Sequence, residues 1–395
     1  VMKKVLFFLI IFTPSCASTE RFLPNFTPNF ITKYFKEDVK PYNDLPSFSE
    51  EVNVEIIWEK KLSGEIENNY TFLNMFKFGE NIYVPSNNKK IHIVSAELGN
   101  LNESIDVELD IFSGIVADEN LIYFGSKQDT VTAVESSSKN VLWQRVMSSE
   151  VMSISRVENE LIYVATNDSK VTAIDTNTGK FIWINSQIPA ALSIRGSSTP
   201  IIEDDKVYIG FEDGRIVSYN ATNGDIIWQV QLPSTRIETV IDRLNDIDGS
   251  MVLDNGVLYA ISYQGSIAAI DSFNGQLLWT QEASSINGLA SNNNSIFYIN
   301  NDGIMKSVDK YTGRQEWEQS QFFKRLIGSP VFFNDFIIAN DIENYLHIFD
   351  IETGLASGRI KLRNKIQSIY VEYDSLYMLD NELNLTKYNI NKIIN

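Results

Sequence analysis

The chain has 395 residues, 44% of them hydrophobic and 12% aromatic, enough for one large repeat domain or two ordinary ones with a sizeable core. Its formal net charge of −18 argues against a polyanionic partner such as nucleic acid. A single cysteine excludes an intramolecular disulfide, and two histidines leave little for a histidine-rich metal site.

At the N-terminus, Lys3 and Lys4 precede an apolar run, Val5 to Phe12, which ends in Thr13-Pro14-Ser15-Cys16. As a helix this run would reach only about 12 Å, against a bilayer core of ~30 Å. Basic residues, a short apolar run and small residues therefore predict a signal peptide over 1–15. The segment resembles a bacterial lipoprotein signal, although Thr13 stands where leucine is usual. That resemblance implies a diacylglycerol anchor on Cys16. With no aspartate after the cysteine, it further implies the outer membrane, on its periplasmic face. Residues 16–50 then read as the lipidated cysteine and a flexible tether, with Pro24, Pro28, Pro41 and Pro46 among Asn, Thr and Ser and no clear periodicity.

From residue 51 to 395 the chain repeats itself. In VTAIDTNTGKFIW, IVSYNATNGDIIW and IAAIDSFNGQLLW an Asp or Asn is followed four residues later by Gly and four later again by Trp. The complete triplets are Asp175, Gly179, Trp183; Asn220, Gly224, Trp228; Asp271, Gly275, Trp279; and Asp309, Gly313, Trp317. Degenerate copies keep the frame as Ser95, Gly99, Glu103; Glu135, Lys139, Trp143; and Asp350, Gly354, Gly358. Twelve residues ahead of most frame positions stands a tyrosine in an apolar run, as with Tyr123, Tyr163, Tyr208 and Tyr259. The eight frame positions, Ser95 to Asn389, are spaced by 40, 40, 45, 51, 38, 41 and 39 residues. Each unit divides into about four short alternating runs separated by Gly, Asn and Asp turns, which predicts a four-stranded antiparallel β-propeller blade.

The ends set the blade count. The last unit stops at Asn395, before a fourth strand could form, and an orphan fourth-strand sequence, VNVEIIWEKKL with Trp58, precedes the first complete unit. An all-β, eight-bladed ring closed by this N-terminal strand, which completes the C-terminal blade, leaves no free sheet edge at the junction. Within the frame, Asp is expected to bond its own turn, Gly to supply positive φ, and Trp to pack against the neighbouring blade.

The repeat resembles that of quinoprotein dehydrogenases, eight-bladed periplasmic enzymes that use pyrroloquinoline quinone (PQQ) and calcium. Such an enzyme is the alternative reading. One cysteine cannot supply the vicinal pair those enzymes stack on the quinone, and the cavity-building insertions are missing, so no catalytic residue, cofactor or metal site is expected. His92 and His347 fall in separate blades, and NDIDG opens like a calcium loop without the later carboxylates.

The two long spacings, 45 and 51, are consecutive. Their extra residues lie between the Trp strand of one blade and the first strand of the next, in NSQIPAALSIRGSS and PSTRIETVIDRLNDIDGS. All such connections emerge on one propeller face, where neighbouring insertions mark a binding surface. These two segments resemble the matching loops of the BamB family, lipoprotein propellers of the outer-membrane β-barrel assembly machinery. The resemblance implies a non-enzymatic scaffold that binds a POTRA domain of a BamA-type barrel subunit, with other lipoproteins of the machinery as possible neighbours. By position, Leu192, Ile194, Arg195, Asp246 and Asp248 inherit the interface, while Glu238 and Arg243 brace the loop.

Overall fold

The computed structural model describes residues 41–66, 73–189, 198–234, 246, 247 and 249–393. Residues 42–395 form one compact unit, and the expected signal peptide and Cys16 lie outside the described residues. Thirty-two described strands, β1 to β32, make eight four-stranded antiparallel sheets. Blade 1 is β2–β5 (76–106), blade 2 β6–β9 (111–146), blade 3 β10–β13 (151–186) and blade 4 β14–β17 (201–231). Blade 5 is β18–β21 (252–283), blade 6 β22–β25 (290–319) and blade 7 β26–β29 (331–361). Blade 8 has the order β1-β32-β31-β30, combining β30–β32 (366–392) with β1 (Val52–Lys61) as its fourth strand. The orphan strand thus closes the ring, paired with β32 from Val52↔Lys392 to Lys61↔Asn384.

The frame residues hold one blade to the next. In blade 3 the Asp175 carboxylate accepts the Thr178 amide at 2.7 Å, and Gly179 takes φ +66°. Each frame tryptophan stacks on an aromatic residue of its own blade, as Trp183 does on Tyr163 at 5.7 Å. It then crosses the seam: Trp183 Nε1 donates to the Ala221 carbonyl at 2.8 Å, and a Cβ on Gly224 would lie 2.5 Å from the indole. All six tryptophans pack on the glycine of the following blade, including Trp58 on Gly99, which joins blade 8 to blade 1, and all but Trp58 also donate across the seam.

Two seams lack the tryptophan, and both lack the facing glycine. Glu103 replaces Trp in blade 1 and pairs at 2.6 Å with Lys139, which replaces Gly in blade 2. Gly358 replaces Trp in blade 7, and there Val52 fills the seam, its Cγ2 2.2 Å from where a Gly358 Cβ would stand. The copies that read as degenerate are therefore matched exchanges across a seam. In every blade the second and third strands are the core, as in β7 (Leu121–Ser126), buried throughout. Fourth strands such as β9 and β17 expose all but their inward side chains, whereas β29 of blade 7 is covered except at Lys361.

The C-terminal end of the expected tether behaves differently from a free linker. Residues 42–50 run from the connection between blades 6 and 7, where the Asn43 amide donates to the Phe323 carbonyl at 3.1 Å, to the outer strand of blade 7, where the Glu51 amide donates to that of Ser357 at 2.9 Å. Tyr42, Leu45, Pro46 and Phe48 are half-buried, while Asn43, Asp44 and Ser47 face solvent.

Candidate partner-binding face

With strands antiparallel and each blade running from first to fourth, fourth-to-first connections and second-to-third hairpins share one face. The opposite face carries the tight frame turns. Both long insertions, 187–200 and 232–251, therefore emerge on the same face at adjacent seams, 3–4 and 4–5. Leu192, Ile194, Arg195 and Asp248 lie outside the described residues, as do Glu238 and Arg243.

The described limbs show how the insertions are rooted. Leaving blade 3, Gln187 Oε1 and the Ile188 carbonyl accept from Arg215 at 3.2 and 2.9 Å, and Asp213 holds that arginine at 2.5 Å. Ile188 itself is 80% exposed. Entering blade 4, Ser198 Oγ accepts the Gly210 amide at 2.7 Å, and its carbonyl accepts Ser153 Oγ at 3.3 Å. The second insertion returns through Asp246 and Ile247, both fully buried. The Asp246 carbonyl accepts the Tyr263 amide at 2.9 Å, and Ile247 packs onto Gly210, where a Cβ would come within 2.6 Å.

Of the residues assigned to the interface by sequence, Asp246 is thus not presented to a partner but wedged between blades 4 and 5. In sequence NDIDG opens like a calcium loop, which gives no sign of this burial.

Both limbs converge on the ring axis. Thr199, Pro200, Gly249 and Ser250 line a central channel of about 980 Å³, together with first-strand residues such as Phe76, Ile115 and Ile154. A further connection on this face, residues 62–75, is as long as the first insertion and escaped the frame count because it joins the split blade to blade 1.

The two histidines sit in satisfied networks in different blades. His92 meets the Ser63 carbonyl at 2.8 Å and Ser104 Oγ at 2.7 Å. His347, fully buried in blade 7, meets Asp341 Oδ2 through Nε2 at 3.0 Å, while its Nδ1 accepts Arg359 Nε at 3.2 Å. That pattern makes it the neutral tautomer with the proton on Nε2. Arg325, also fully buried, donates to Asp341 Oδ2 at 2.8 Å and to Glu343 Oε2 at 2.5 Å. Burial opposes the Asp341 carboxylate, but hydrogen bonds from His347, the Tyr345 amide and Arg325 outweigh it and bring its pKa to about 2. Burial lowers the His347 pKa against the pull of Asp341, with Arg359 and Arg325 adding to the lowering. Sequence reasoning passed over this cluster because it belongs to one blade and no repeat announces it.

The family model described as outer membrane protein assembly factor BamB matches residues 55–319. The outer membrane protein assembly factor BamB of Escherichia coli K12 is 30% identical over 344 residues, 84% of this chain and 86% of that protein. Its counterpart in Yersinia pestis is 26% identical over 330 residues, 81% of this chain and 84% of that protein. The BamB structure from Moraxella catarrhalis superposes with a TM-score of 0.77 at 21% identity, covering 85% of this chain and all of that one. A quinohemoprotein alcohol dehydrogenase from Pseudomonas putida HK5 shares the fold at a TM-score of 0.64 and 12% identity, over 87% of this chain and 77% of its own. With the family model spanning most of the propeller, and with fold and repeat in agreement, the chain belongs to the BamB family.

Proposed function

We propose that the chain is a non-enzymatic assembly factor for outer membrane proteins, which holds a POTRA domain of a BamA-type barrel subunit on its insertion-bearing face. The observation that carries this reading is the placement of the two insertions: adjacent seams, one face, and limbs pinned to the rim of the central channel. Rigidly rooted loops on a stable ring present a surface with little ordering cost on binding. Within them, Arg195 offers a donor fork, Leu192 and Ile194 apolar anchors and Asp248 a carboxylate, while the buried Asp246 stands at the root of the second insertion. Lipid on Cys16 would hold the propeller at the periplasmic face of the outer membrane, within reach of other lipoproteins of the machinery. The single cysteine argues against the quinone-dependent dehydrogenase chemistry of the more distant fold relative.

Arg195→Glu tests the interface. It removes a fork and adds repulsion, so binding to a purified POTRA fragment should weaken by at least ~2 kcal/mol, while folding stability shifts by only about 0.5 kcal/mol. Lys180→Glu, in a frame turn on the opposite face, should leave binding unchanged. Equal binding by wild type and folded Arg195→Glu would sink the assignment. For the anchor, palmitate labelling should disappear in Cys16→Ser; labelling that persists would remove it.

A further inference from the structure

The half-buried residues of the segment on blade 7 spell Leu45-Pro46-x-Phe48, and each of the last two is met by the same side chain. Arg359 Nη2 donates to the Pro46 carbonyl at 2.7 Å, and its guanidinium lies 4.8 Å from the Phe48 ring centre. Proline fixes φ and favours an extended segment, so carbonyl and ring two residues apart face one arginine at little entropic cost. Arg359 is in turn held by His347 Nδ1, and His347 by Asp341. Four residues earlier, Tyr42 stacks on Arg325 at 4.9 Å and donates to Glu343 Oε1 at 3.1 Å, while Arg325 Nη1 donates to the Asn43 carbonyl at 2.8 Å. Two arginines, backed by a buried acid and a histidine, therefore grip an extended peptide by two carbonyls and two rings.

The same chain contains this peptide pattern twice more. Residues 23–26 read Leu-Pro-Asn-Phe and residues 27–30 Thr-Pro-Asn-Phe, against Leu-Pro-Ser-Phe at 45–48. Each copy offers a prolyl carbonyl and a phenyl ring at the spacing Arg359 reads. Neither has a tyrosine four residues before its proline, where Tyr42 stands before Pro46; Glu20 and Pro24 occupy those places. The upstream copies thus carry the determinants of one arginine and lack those of the other.

We propose that blade 7 is a peptide clamp for x-Pro-x-Phe segments, occupied by residues 45–48 and open to exchange with the two upstream copies at 23–26 and 27–30. Exchange to Phe26 would take up the chain between the copies and shorten the free segment by up to roughly 70 Å of extended chain. That consequence alone rests on the anchor at Cys16; the clamp itself does not.

An occupant in the same chain masks binding from outside, because its effective concentration reaches the millimolar range. The test therefore uses the full chain with Phe26→Ala, Phe30→Ala, Tyr42→Ala and Phe48→Ala combined, its thermal transition checked, and fluorescently labelled peptides of residues 41–50 and 20–31. Both peptides should bind this variant by anisotropy, the upstream one roughly tenfold more weakly for want of the tyrosine contact. Wild type, with its clamp filled, should bind neither. Adding Arg359→Lys, which keeps the charge but loses the fork, should weaken both by roughly tenfold or more. If peptide 20–31 binds no better than its version with Phe26 and Phe30 changed to alanine, exchange is refuted and the segment at 42–50 is a fixed strap. If peptide 41–50 also fails to bind, or Arg359→Lys changes nothing, the clamp itself is refuted.

Discussion

Two seams of the ring solve one problem with opposite chemistry. Between blades 3 and 4, Trp183 is 8% exposed, lies flat on Gly224 and donates across the gap. Between blades 1 and 2 the same positions hold Glu103 and Lys139, 2.6 Å apart with side chains 39% and 32% exposed. The indole buries a large apolar face, worth several kcal/mol, but tolerates nothing beyond a hydrogen on the facing turn. The ion pair reaches across the gap from two stems, so the facing residue keeps a side chain, and Lys139 retains the left-handed turn at φ +66° without glycine's freedom. About one-third exposed, that pair contributes at most about 1 kcal/mol. What repeats around the ring is therefore a matched pair of residues across each seam rather than a residue type within each blade.

The largest expected effect comes from breaking a tryptophan seam on either side. Gly224→Val forces a Cβ into the Trp183 ring at a φ of +76°, and Trp183→Ala leaves a cavity of indole size. Each should cost about 3–5 kcal/mol by denaturant unfolding. The double variant should lose clearly less than the two single losses added, since removing the indole makes room for valine. Strict additivity would show that the two positions are not a pair.

Much of this was legible beforehand, and the rest hidden for identifiable reasons. Fold, blade count and closure follow from a pattern locked in phase through the chain, because every blade must bury the same faces. The seam exchanges were visible only as lost copies: reading along one unit aligns Ser95, Gly99 and Glu103, whereas the partner of Glu103 is Lys139 in the next unit. The insertions showed as long spacings, but the burial of Asp246 did not, since a wedge residue between blades carries no periodic signature. Residues 42–50 read as linker because single half-buried aromatics, Tyr42 and Phe48, find their partners on Arg325 and Arg359 roughly three hundred positions away.

Acid separates the Trp–Gly contacts, in which neither side chain titrates, from blade 7, where a buried histidine and carboxylate do. His347 is faced by Asp341 and by Arg359 and Arg325, with Glu343 joined through Arg325, and Phe322 packs on its ring at 4.6 Å. Its pKa is lowered in the fold, so the unfolded chain binds its proton first, and stability falls as pH drops through about 6.5. Protonated Nδ1 would also confront Arg359 and loosen its grip on Pro46. Asp341, held at about 2, adds a second loss on the order of 2 kcal/mol as pH falls from about 4 towards 2. Between pH 7 and 5 the thermal midpoint should fall less in His347→Gln, which keeps a neutral donor towards Asp341, than in wild type. Parallel pH profiles would show that blade 7 does not carry the acid response.

The smallest effect is expected at the charged seam, and its size is the point. Glu103→Gln keeps the shape of the side chain and its stem packing while removing the charge opposite Lys139. Because both groups stand about one-third exposed, water already screens much of the attraction and the freed lysine is readily solvated. The loss should be about 0.5 kcal/mol at low salt and vanish near 1 M salt, where the screening length falls to roughly 3 Å. Gly224→Val, by contrast, should lose as much at high salt as at low, since no charge is involved. A loss of several kcal/mol at Glu103 that survives high salt would mean that this seam is held as tightly as the tryptophan ones, and that the exchange of Trp and Gly for Glu and Lys carries no cost to the ring.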